Sequence, residues 1–442
     1  MPNHYFCFLS FKFLSIEIMN IESLYQLYLQ HSSIQTDSRK VKPGDLFFAL
    51  KGPNFNGNLF AEKALQDGAA YAVVDEKVSD DERIILTDDV LKTLQDLAKH
   101  HREQFDIPFI GITGSNGKTT TKELVHAVLS THFVTYTTEG NLNNHIGIPL
   151  TILKVKQDAQ IAVIEMGANH LKEIESYCIY TQPAYGIITN CGKAHLEGFG
   201  GEEGVRKGKG ELYDFIRAHD GTVFAFDDYA YLHEMSRGIK NIVWYGTKNG
   251  SVVGDAAQHD SFLNVDFSKG FSLKNIQTQL VGNYNLPNVL CAVAVGKYFG
   301  VPEEKIKSAI ENYTPSNSRS QLIHSGTNKI ILDAYNANPS SMKAAIENLA
   351  SLPDEHKSLI IGGMKELGAE SADEHQKIIE LIEKYSWRSV TLVGKEFEPY
   401  KNKFQWFENS EEAAQWFKQQ SFNNCTILIK GSRGIALEKL LT

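Results

Sequence analysis

Three things are scarce in this 442-residue sequence, and each scarcity excludes a class of protein. Positive charge is not in excess, because 44 lysines and arginines stand against 53 aspartates and glutamates, a net charge of −9. A general nucleic-acid binder is therefore disfavoured, since such proteins carry a basic patch. No apolar run approaches the roughly 20 residues that span a bilayer, which argues against an integral membrane protein.

Cysteine is scarce as well, and the five residues are far apart: Cys7, Cys178, Cys191, Cys291 and Cys425. No pair has the CxxC spacing, so the sequence supports neither a zinc ribbon nor a disulfide framework. We expect reduced thiols and a cytoplasmic protein.

The first eighteen residues are apolar but do not resemble a signal peptide. They have no basic start and no small-x-small cleavage site. Because a helical pattern follows Met19, we expect residues 1–18 to be an extension outside the domains.

Strand-like apolar runs alternate with amphipathic stretches along the chain, which predicts an α/β protein. Hydrophobic residues make up 42% of the chain, typical of a globular protein, and the length suggests about three domains. A polar helix ends near Phe105, and a Pro-, Ser- and Asn-rich segment covers residues 314–320. The predicted domains are residues 19–105, 106–315 and 316–442.

The strongest local pattern is a glycine-rich turn between a strand and a helix. An apolar run over 107–113 leads into GSNGKTTT, and an amphipathic helix follows. This is the context of a phosphate-binding loop, in which backbone N–H groups and the helix N-terminus face phosphate oxygens. Lys118 would reach the outer phosphates and the Thr119 hydroxyl would bind Mg²⁺. Ile112 stands where the strict pattern has glycine, so a structural turn is the alternative.

Polar residues follow several of the predicted strands. Glu165 closes one strand, Asn190 closes another, and His195 follows in the next loop. Ligands bind beyond the carboxyl ends of parallel strands, so Glu165 is a Mg²⁺ candidate and His195 a metal-ligand candidate. A hydrogen-bonded loop histidine is the plain alternative. Asp227 and Asp228 are equally well explained as cap or turn residues.

Two further segments have a plain and a functional interpretation. Residues 205–215, which include Lys207 and Lys209, read most simply as a solvated basic turn before a helix. Residues 137–150 are rich in Asn, Thr and Gly, which favour turns. They could also offer hydrogen bonds to a substrate with hydroxyl or peptide groups.

Taken together, these segments resemble the Mur ligase family, the amide-forming enzymes of bacterial peptidoglycan synthesis. The similar motifs are GITGSNGKTTTKE (111–123), IEMGAN (164–169), ITNCGKAHLEGFG (188–200), GKGEL (208–212) and GNYNLPN (282–288). The segments DSRKVKPGDLFFALKG (37–52), DAYNANPSSMKAA (333–345) and MKELGAES (364–371) resemble the member that adds D-alanyl-D-alanine.

The resemblance implies a small UDP-sugar domain, a central ATP-binding domain and a C-terminal Rossmann-like domain. It implies an ADP-forming ligase that joins D-alanyl-D-alanine to UDP-N-acetylmuramoyl-tripeptide through an acyl phosphate. The products would be the UDP-N-acetylmuramoyl-pentapeptide precursor of peptidoglycan, ADP and phosphate. The implied cofactors are ATP and Mg²⁺. A monomer is expected, with no nucleic-acid or membrane partner.

The resemblance also implies roles for individual residues. Lys118, His195 and Lys209 would be catalytic, with Lys209 carbamylated by CO₂. The implied metal ligands are Thr119, Glu165, His195 and the Lys209 carbamate. The implied ATP contacts are Gly114, Asn116, Gly117, Lys118, Thr119, Thr120, Asn285, Asn288, Arg319 and Asp333. Ser38 and Arg39 would bind the uridine nucleotide, and Thr138, Asn141 and Asn143 the muramoyl peptide. Lys430, Ser432 and Arg433 are further candidates for the incoming dipeptide.

Two other interpretations stay open. A sister Mur ligase or a folylpolyglutamate-type synthase would add a single amino acid, and a nucleotide-gated binding protein would keep the loop without the chemistry. The YNANPSS segment and the DSR segment disfavour the first, and Glu165, Lys209 and His195 together disfavour the second.

Overall fold

The computed structural model describes residues 19–31, 33–257, 262–315 and 318–441. The chain divides into two compact units, Met1–Gln104 and Phe105–Thr442. The extension expected over residues 1–18 lies outside the described residues, as do residues 316 and 317 at the second predicted domain boundary. The three domain ranges therefore stay a prediction.

The first unit packs helices against a small parallel sheet. Its elements are α1 (Ile21–His31), β1 (Ile34–Gln35), β2 (Leu46–Phe48), β3 (Lys51–Gly52), β4 (Phe55–Asn56), α2 (Ala61–Gln66), β5 (Tyr71–Val74), β6 (Ile84–Leu86) and α3 (Val90–Arg102). The sheet has the order β1-β2-β5-β6 with every neighbouring pair parallel, and β3 and β4 form a separate antiparallel hairpin. Phe47 and Val74 pack against Ala64 of α2 in its core.

The second unit begins with a large sheet, called the central sheet below. Its elements are β7 (Phe109–Thr113), α4 (Lys118–Ser130), β8 (Thr135–Thr137), α5 (Gly147–Ile152), β9 (Ile161–Glu165), α6 (Glu173–Thr181), β10 (Tyr185–Ile188), α7 (Leu196–Phe199), α8 (Glu202–Ala218), β11 (Thr222–Phe226), α9 (Ala230–Met235), β12 (Asn241–Gly246), β13 (Val252–Ala257), β14 (Phe262–Lys269), β15 (Asn275–Val281), α10 (Leu286–Tyr298) and α11 (Glu303–Asn312).

The central sheet has the strand order β15-β14-β13-β12-β11-β10-β7-β9-β8. The run from β8 to β13 is parallel, and β13, β14 and β15 pair antiparallel. Strands β7, β9 and β11 are buried along their whole length. Such continuous apolar strands are typical of a parallel sheet covered on both faces. The carboxyl ends of β7, β9 and β10 consequently meet at one edge.

A second sheet, called the C-terminal sheet below, completes the unit. Its elements are β16 (Gln321–Ser325), β17 (Asn328–Asp333), α12 (Pro339–Ser351), β18 (Lys357–Gly362), α13 (Ser371–Ile382), β19 (Ser389–Val393), β20 (Gln405–Phe407), α14 (Ser410–Gln419) and β21 (Thr426–Lys430). The strand order is β16-β17-β21-β18-β19-β20, and only the β16–β17 pair is antiparallel among the described strands.

The predicted α/β class is confirmed by this architecture of parallel sheets covered by helices. Glu165, which was predicted to close a strand, is the last residue of β9. Within the described ranges, no helix is both long and apolar enough to cross a membrane.

Candidate active site

A cavity of about 740 Å³ lies in the second unit, lined by loops of the central and the C-terminal sheet. The sequence-predicted residues that line it are Asn116, Gly117, Lys118, Thr119, Thr120, Asn141, Asn143, Glu165, His195, Asn285, Asn288, Arg319, Asp333 and Lys430. Gly114, Thr138 and Lys209 stand outside this lining, and each hydrogen-bonds a residue that belongs to it.

The glycine-rich turn connects β7 to α4, and Gly117 is the residue before the helix. Its φ of +77° is a left-handed conformation that favours glycine. A Cβ added to Gly117 would lie 2.7 Å from Oδ1 of Asn288, so a side chain there would displace that amide. Glycine has no side chain that could cap α4. The first-turn N–H groups of α4 are therefore available to an anionic ligand.

The turn is fixed by the residues that follow β10. The Asn116 N–H donates to Oδ1 of Asn190 at 3.1 Å, and the Asn116 carbonyl accepts from Nδ2 of Asn190 at 3.0 Å and from Oγ1 of Thr189 at 2.6 Å. The Ser115 hydroxyl donates to the Gly192 carbonyl at 2.8 Å. The strand-end asparagine identified in the sequence thus holds the backbone of the phosphate-binding turn.

Lys118 lies against this turn. Its Nζ donates to the Gly114 carbonyl at 2.7 Å and lies 3.4 Å from the Ser115 carbonyl. Desolvation by the cavity walls lowers the pKa of Lys118, an effect that nearby Glu165 opposes and Arg319 reinforces. An anion that enters the cavity would therefore stabilise the charged form of Lys118.

Glu165 is the most strongly buried acid of the cavity, with 1% of its surface exposed. Its Oε1 accepts from Oγ1 of Thr119 at 3.1 Å and from Nδ2 of Asn143 at 2.8 Å. Its Oε2 is buried and has no hydrogen-bond partner among the described residues. A buried carboxylate oxygen without a donor is costly unless a cation binds it.

Thr138 is not placed where the resemblance implied. The side chain is fully buried rather than facing the cavity, and its Oγ1 accepts the backbone N–H of Glu165 at 2.9 Å. Its carbonyl accepts from Nζ of buried Lys122 at 2.8 Å. Thr138 therefore positions Glu165, and it offers no surface to a muramoyl peptide.

His195 lies at the start of α7 with a left-handed φ of +53°. Its Nδ1 is 2.5 Å from Oε2 of Glu366, which belongs to the segment after β18. The hydrogen bond from His195 holds the pKa of Glu366 below its usual value, against the effect of burial. Nδ1 of His195 is thus paired with a carboxylate, and the residue also lines the cavity.

Lys209 corrects the interpretation of residues 205–215. The segment is the middle of helix α8 rather than a turn, and Lys209 is fully buried while Lys207 is exposed. Nζ of Lys209 donates to the Ala168 carbonyl at 2.9 Å and lies 4.8 Å from the centre of the Phe199 ring. Burial, reinforced by the charge of Lys118, lowers the pKa of Lys209 to about 7.

Asn285 and Asn288 form a buried amide chain at the start of α10. Nδ2 of Asn285 donates to the Val281 carbonyl, Nδ2 of Asn288 donates to Oδ1 of Asn285, and Oγ1 of Thr121 donates to Oδ1 of Asn288, at 2.9, 2.9 and 3.0 Å. The bond from Thr121 to Asn288 holds α10 against α4, and the other two fix the amides at the start of α10. The Tyr284 hydroxyl, beside them, is 2.9 Å from Oγ of Ser320.

The C-terminal sheet brings Asp333, Lys430 and Arg319 to the cavity. Oδ2 of Asp333 accepts from Nζ of Lys430 at 2.6 Å, and Oδ1 accepts from the Ser320 N–H at 3.1 Å. The Arg319 guanidinium lies 3.5 Å from the centre of the Tyr335 ring. The fully buried Lys430 thus neutralises Asp333, which leaves the guanidinium available to anions.

Ser432 and Arg433 follow β21 and stand apart from the cavity lining. The Ser432 hydroxyl donates to the Ala337 carbonyl at 3.1 Å and accepts the Lys365 N–H at 3.0 Å. The Arg433 guanidinium lies 5.4 Å from the Tyr335 ring centre. Their proposed contact with a dipeptide stays a prediction.

Asp227 and Asp228 act as turn residues. Oδ1 of Asp228 accepts the Thr247 N–H at 3.1 Å, and its Oδ2 accepts the Thr247 hydroxyl. Oδ1 of Asp227 lies 3.4 Å from Nε2 of His233. The plain interpretation of these two residues therefore suffices.

Ser38 and Arg39 lie in the first unit, in a short 3-10 helix capped by Asp37. The Asp37 carboxylate accepts two hydrogen bonds from the Arg39 guanidinium, each at 2.8 Å. These bonds lower the pKa of Asp37 to about 2. Arg39 keeps 84% of its side chain exposed, so it can reach a ligand without losing that pair.

The donor set around Glu165 fits a divalent cation. No three His, Cys, Asp or Glu side chains converge as a metal-binding group in the described parts of the chain. The unpartnered Oε2 of Glu165 beside the Thr119 hydroxyl is instead a partial site that phosphate oxygens would complete.

Sequence reasoning missed the residues that join the two sheets at the cavity. Glu366 pairs with His195, and Nδ2 of Asn338 donates to Oδ1 of Asn116 at 2.7 Å. Asn-Pro before an amphipathic stretch does indicate a helix start. No local sequence pattern, however, indicates that the capping residue Asn338 contacts Asn116.

Three protein-family models match separate parts of this chain. Residues 31–102 match the family described as Mur ligase family, catalytic domain, residues 112–296 match the Mur ligase middle domain, and residues 318–433 match the Mur ligase, glutamate ligase domain.

Relatives cover nearly the whole chain. The UDP-N-acetylmuramoyl-tripeptide–D-alanyl-D-alanine ligase of Bacillus subtilis (strain 168) is 33% identical over 428 residues, which is 92% of each chain. The crystal structure of MurF from Acinetobacter baumannii is 29% identical with a TM-score of 0.85, covering 94% of this chain and 97% of that one. The MurF ligase from Thermotoga maritima in complex with ADP is 27% identical with a TM-score of 0.84, covering 93% and 97%.

The chain thus has a relative that is 33% identical over 92% of each chain, and three Mur ligase family models match it over residues 31–102, 112–296 and 318–433. This protein belongs to the Mur ligase family.

Proposed function

We propose that this protein is an ATP-dependent ligase that joins D-alanyl-D-alanine to UDP-N-acetylmuramoyl-tripeptide. The observation that carries the proposal is the match over 92% of both chains to a relative of that name. The cavity supports it, because a phosphate-binding turn, an unpartnered carboxylate oxygen and an arginine line one space.

ATP, when bound, supplies the phosphoryl group that turns a carboxylate into an acyl phosphate, which the amine of the dipeptide can attack. The chain's own work is to place and neutralise charge. The first-turn N–H groups of α4, Lys118 and Arg319 would surround the phosphates, and Asn116 and Thr120 line the same space. Asn285 and Asn288 would meet the adenine edge with their remaining hydrogen-bonding groups, and Asp333 would meet the ribose.

Glu165 and the Thr119 hydroxyl would hold Mg²⁺, with His195 as a further ligand through Nε2. Mg²⁺ supplies a Lewis acid that neutralises phosphate charge. Asn143 and Thr138 keep the Glu165 carboxylate directed at that position, since one binds Oε1 and the other binds the backbone N–H.

Lys209 is proposed to react with CO₂. Its neutral nitrogen attacks the carbon, a C–N bond forms, and a proton leaves to solvent, which gives a carbamate. Burial favours the reactive neutral amine because a buried ammonium is costly, and the Ala168 carbonyl that accepts from Lys209 belongs to a residue of the cavity lining. A carbamate oxygen would bind Mg²⁺, whereas an ammonium would repel it.

The rest of the substrate set follows the same proposal. Asn141 and Asn143 would bind the muramoyl peptide, and Ser38 and Arg39 of the first unit would bind the uridine nucleotide. The three domains would be residues 19–105, 106–315 and 316–442. We place the reaction in the cytoplasm, where ATP is available, and we propose a monomer.

Phosphate release tests the proposal. Purified protein is supplied with ATP and UDP-N-acetylmuramoyl-tripeptide, and phosphate is measured with and without D-alanyl-D-alanine. We expect release only when the dipeptide is present, with the pentapeptide product seen by mass spectrometry. Equal release with a free amino acid in place of the dipeptide would instead indicate a single-residue ligase.

A further inference from the structure

Asn338 makes two unrelated contacts with the two ends of its amide. Oδ1 caps helix α12 by accepting the Ser341 N–H at 2.9 Å. Nδ2 donates to Oδ1 of Asn116 in the phosphate-binding turn at 2.7 Å. The side chain is buried, with 8% of its surface exposed, and it lines the cavity.

Asn116 has a fixed backbone but a side chain with few other restraints. Its N–H and carbonyl are held by Asn190 and Thr189, as described above. Its side-chain oxygen is held by Asn338, from the other sheet. Without that bond the Asn116 amide could rotate about its side-chain torsions inside the cavity.

The start of α12 also contacts the loop that follows β10. The backbone N–H of Lys193 donates to Oγ of Ser340, two residues after Asn338, at 2.9 Å. A Cβ on Gly192 would lie 2.8 Å from that same oxygen, so the loop and the start of α12 are in close contact. The start of α12, which includes Asn338, is therefore fixed against the loop whose Thr189 and Asn190 hold the phosphate-binding turn.

We infer that Asn338 is a positioning residue for nucleotide binding, which acts by orienting the Asn116 side chain in the phosphate-binding turn. The inference rests on the proposed function for the identity of the nucleotide. It makes ATP affinity depend on the packing of the C-terminal sheet against the central sheet.

A helix cap alone would also explain why asparagine stands at 338, and one substitution separates the two roles. Serine caps helices about as well as asparagine, but its side chain is too short to reach Asn116 while capping. Asn338→Ser therefore keeps the cap and removes the bond. Asn409 is a matched control: it caps α14 with φ −144° and ψ 170°, against −140° and 167° at Asn338, and its Oδ1 accepts the Glu412 N–H at 3.0 Å.

The experiment compares wild type, Asn338→Ser, Asn409→Ser, Asn116→Ser and the Asn116→Ser/Asn338→Ser double variant. Calorimetric binding of ADP and of a non-hydrolysable ATP analogue is measured, together with the melting temperature and the KM for ATP. We expect Asn338→Ser to weaken nucleotide binding and raise the KM about five- to tenfold, the size of one buried hydrogen bond. Its melting temperature should match that of Asn409→Ser.

The double variant decides whether the effect passes through Asn116. A positioning role predicts that it binds nucleotide no more weakly than Asn116→Ser alone. Additive losses, or an Asn338→Ser variant with unchanged nucleotide binding, would overturn the inference. Because ADP binding is read without turnover, a wild-type protein that binds ADP but forms no pentapeptide would refute the proposed function and leave this test intact.

Discussion

Two side chains of this site, Glu165 and Lys209, are ionisable groups whose burial costs free energy. Glu165 has a carboxylate oxygen without a donor, and Lys209 is a buried lysine with no acid hydrogen-bonded to it among the described residues. A buried charge without a partner is costly. In the proposed function, Mg²⁺ would bind the Glu165 carboxylate, and a carbamate would replace the Lys209 ammonium.

Replacing Lys209 by alanine should reduce ligase activity at least about a hundredfold, because a metal ligand matters more than the residues that orient it. A small carboxylate such as acetate should restore part of the activity by occupying the space of the carbamate. The measurement is the rate of phosphate release with and without acetate. Full activity in Lys209→Ala would contradict the carbamate proposal.

The pH profile of wild type provides an independent reading of Lys209. Its pKa of about 7 is lowered by burial, so the neutral amine that reacts with CO₂ increases between about pH 6 and pH 8. Added bicarbonate should therefore stimulate CO₂-depleted enzyme more at the upper end of this range. Equal stimulation at both ends would count against the assignment.

Single residues were predictable where they end a strand, and less so where they contact another segment. Glu165 follows four apolar residues, so its place at the sheet edge could be read from the sequence. Thr138 sits in a polar stretch that gives no sign of burial, yet its hydroxyl is used by Glu165. The difference is that strand ends have a local pattern and tertiary hydrogen bonds have none.

At the scale of elements, the junction between β7 and α4 sets the geometry of the phosphate site. Gly117 must adopt a left-handed φ and also leave room for Asn288, which ties α10 to α4. Glycine is thus required at 117 for two reasons, its backbone conformation and the space that Asn288 occupies. Neither reason can be read from the sequence.

Gly117→Ala should lower the free energy of unfolding by more than the about 1–2 kcal/mol that a left-handed alanine costs, because its Cβ would also displace Asn288. Nucleotide binding should be lost with it. Gly300→Ala is the matched control, since Gly300 has a φ of +78° and an added Cβ would have no atom within 4 Å. Urea unfolding and ADP calorimetry measure both effects. Equal destabilisation by the two variants would show that the contact with Asn288 is unimportant.

Helix α8 shows why one element was mispredicted. Two glycines around Lys209 are typical of a turn, and glycine does weaken a helix. A Cβ on Gly208 would lie 2.4 Å from the Phe199 ring, so glycine there permits the close packing of α7 on α8. Tertiary packing therefore overrides the local preference, and it buries Lys209 in the process.

At the scale of the whole molecule, the cavity depends on contacts between the central and the C-terminal sheet. Asn116–Asn338, His195–Glu366 and Lys193–Glu374 each join residues more than 150 positions apart. The alternation of strand-like and helical segments could be predicted from the sequence because periodicity is local. These pairs could not, since no period links residues so distant.

The contribution of the Lys193–Glu374 pair can be measured with a double-mutant cycle. Nζ of Lys193 is 2.8 Å from Oε1 of Glu374, which keeps only 4% of its side chain exposed. Burial alone would raise the pKa of Glu374, but hydrogen bonds from Lys193 and Lys377 outweigh it, so the pKa lies below its usual value. The pair therefore stabilises the fold above the unfolded pKa of about 4.3, and this is lost as the pH falls through the folded value.

A double-mutant cycle with Lys193→Met and Glu374→Gln should give a coupling free energy of about 1 kcal/mol near neutral pH, which disappears as the pH falls through the lowered pKa of Glu374. Lys377→Met is the control, because Lys377 binds the same carboxylate oxygen at 2.8 Å from within α13. Only Lys193→Met breaks a contact between the sheets, so it alone should lower kcat/KM for ATP, while both variants lose stability. If Lys377→Met lowers kcat/KM equally, the carboxylate matters for α13 itself, and the pair does not hold the two sheets together around the nucleotide.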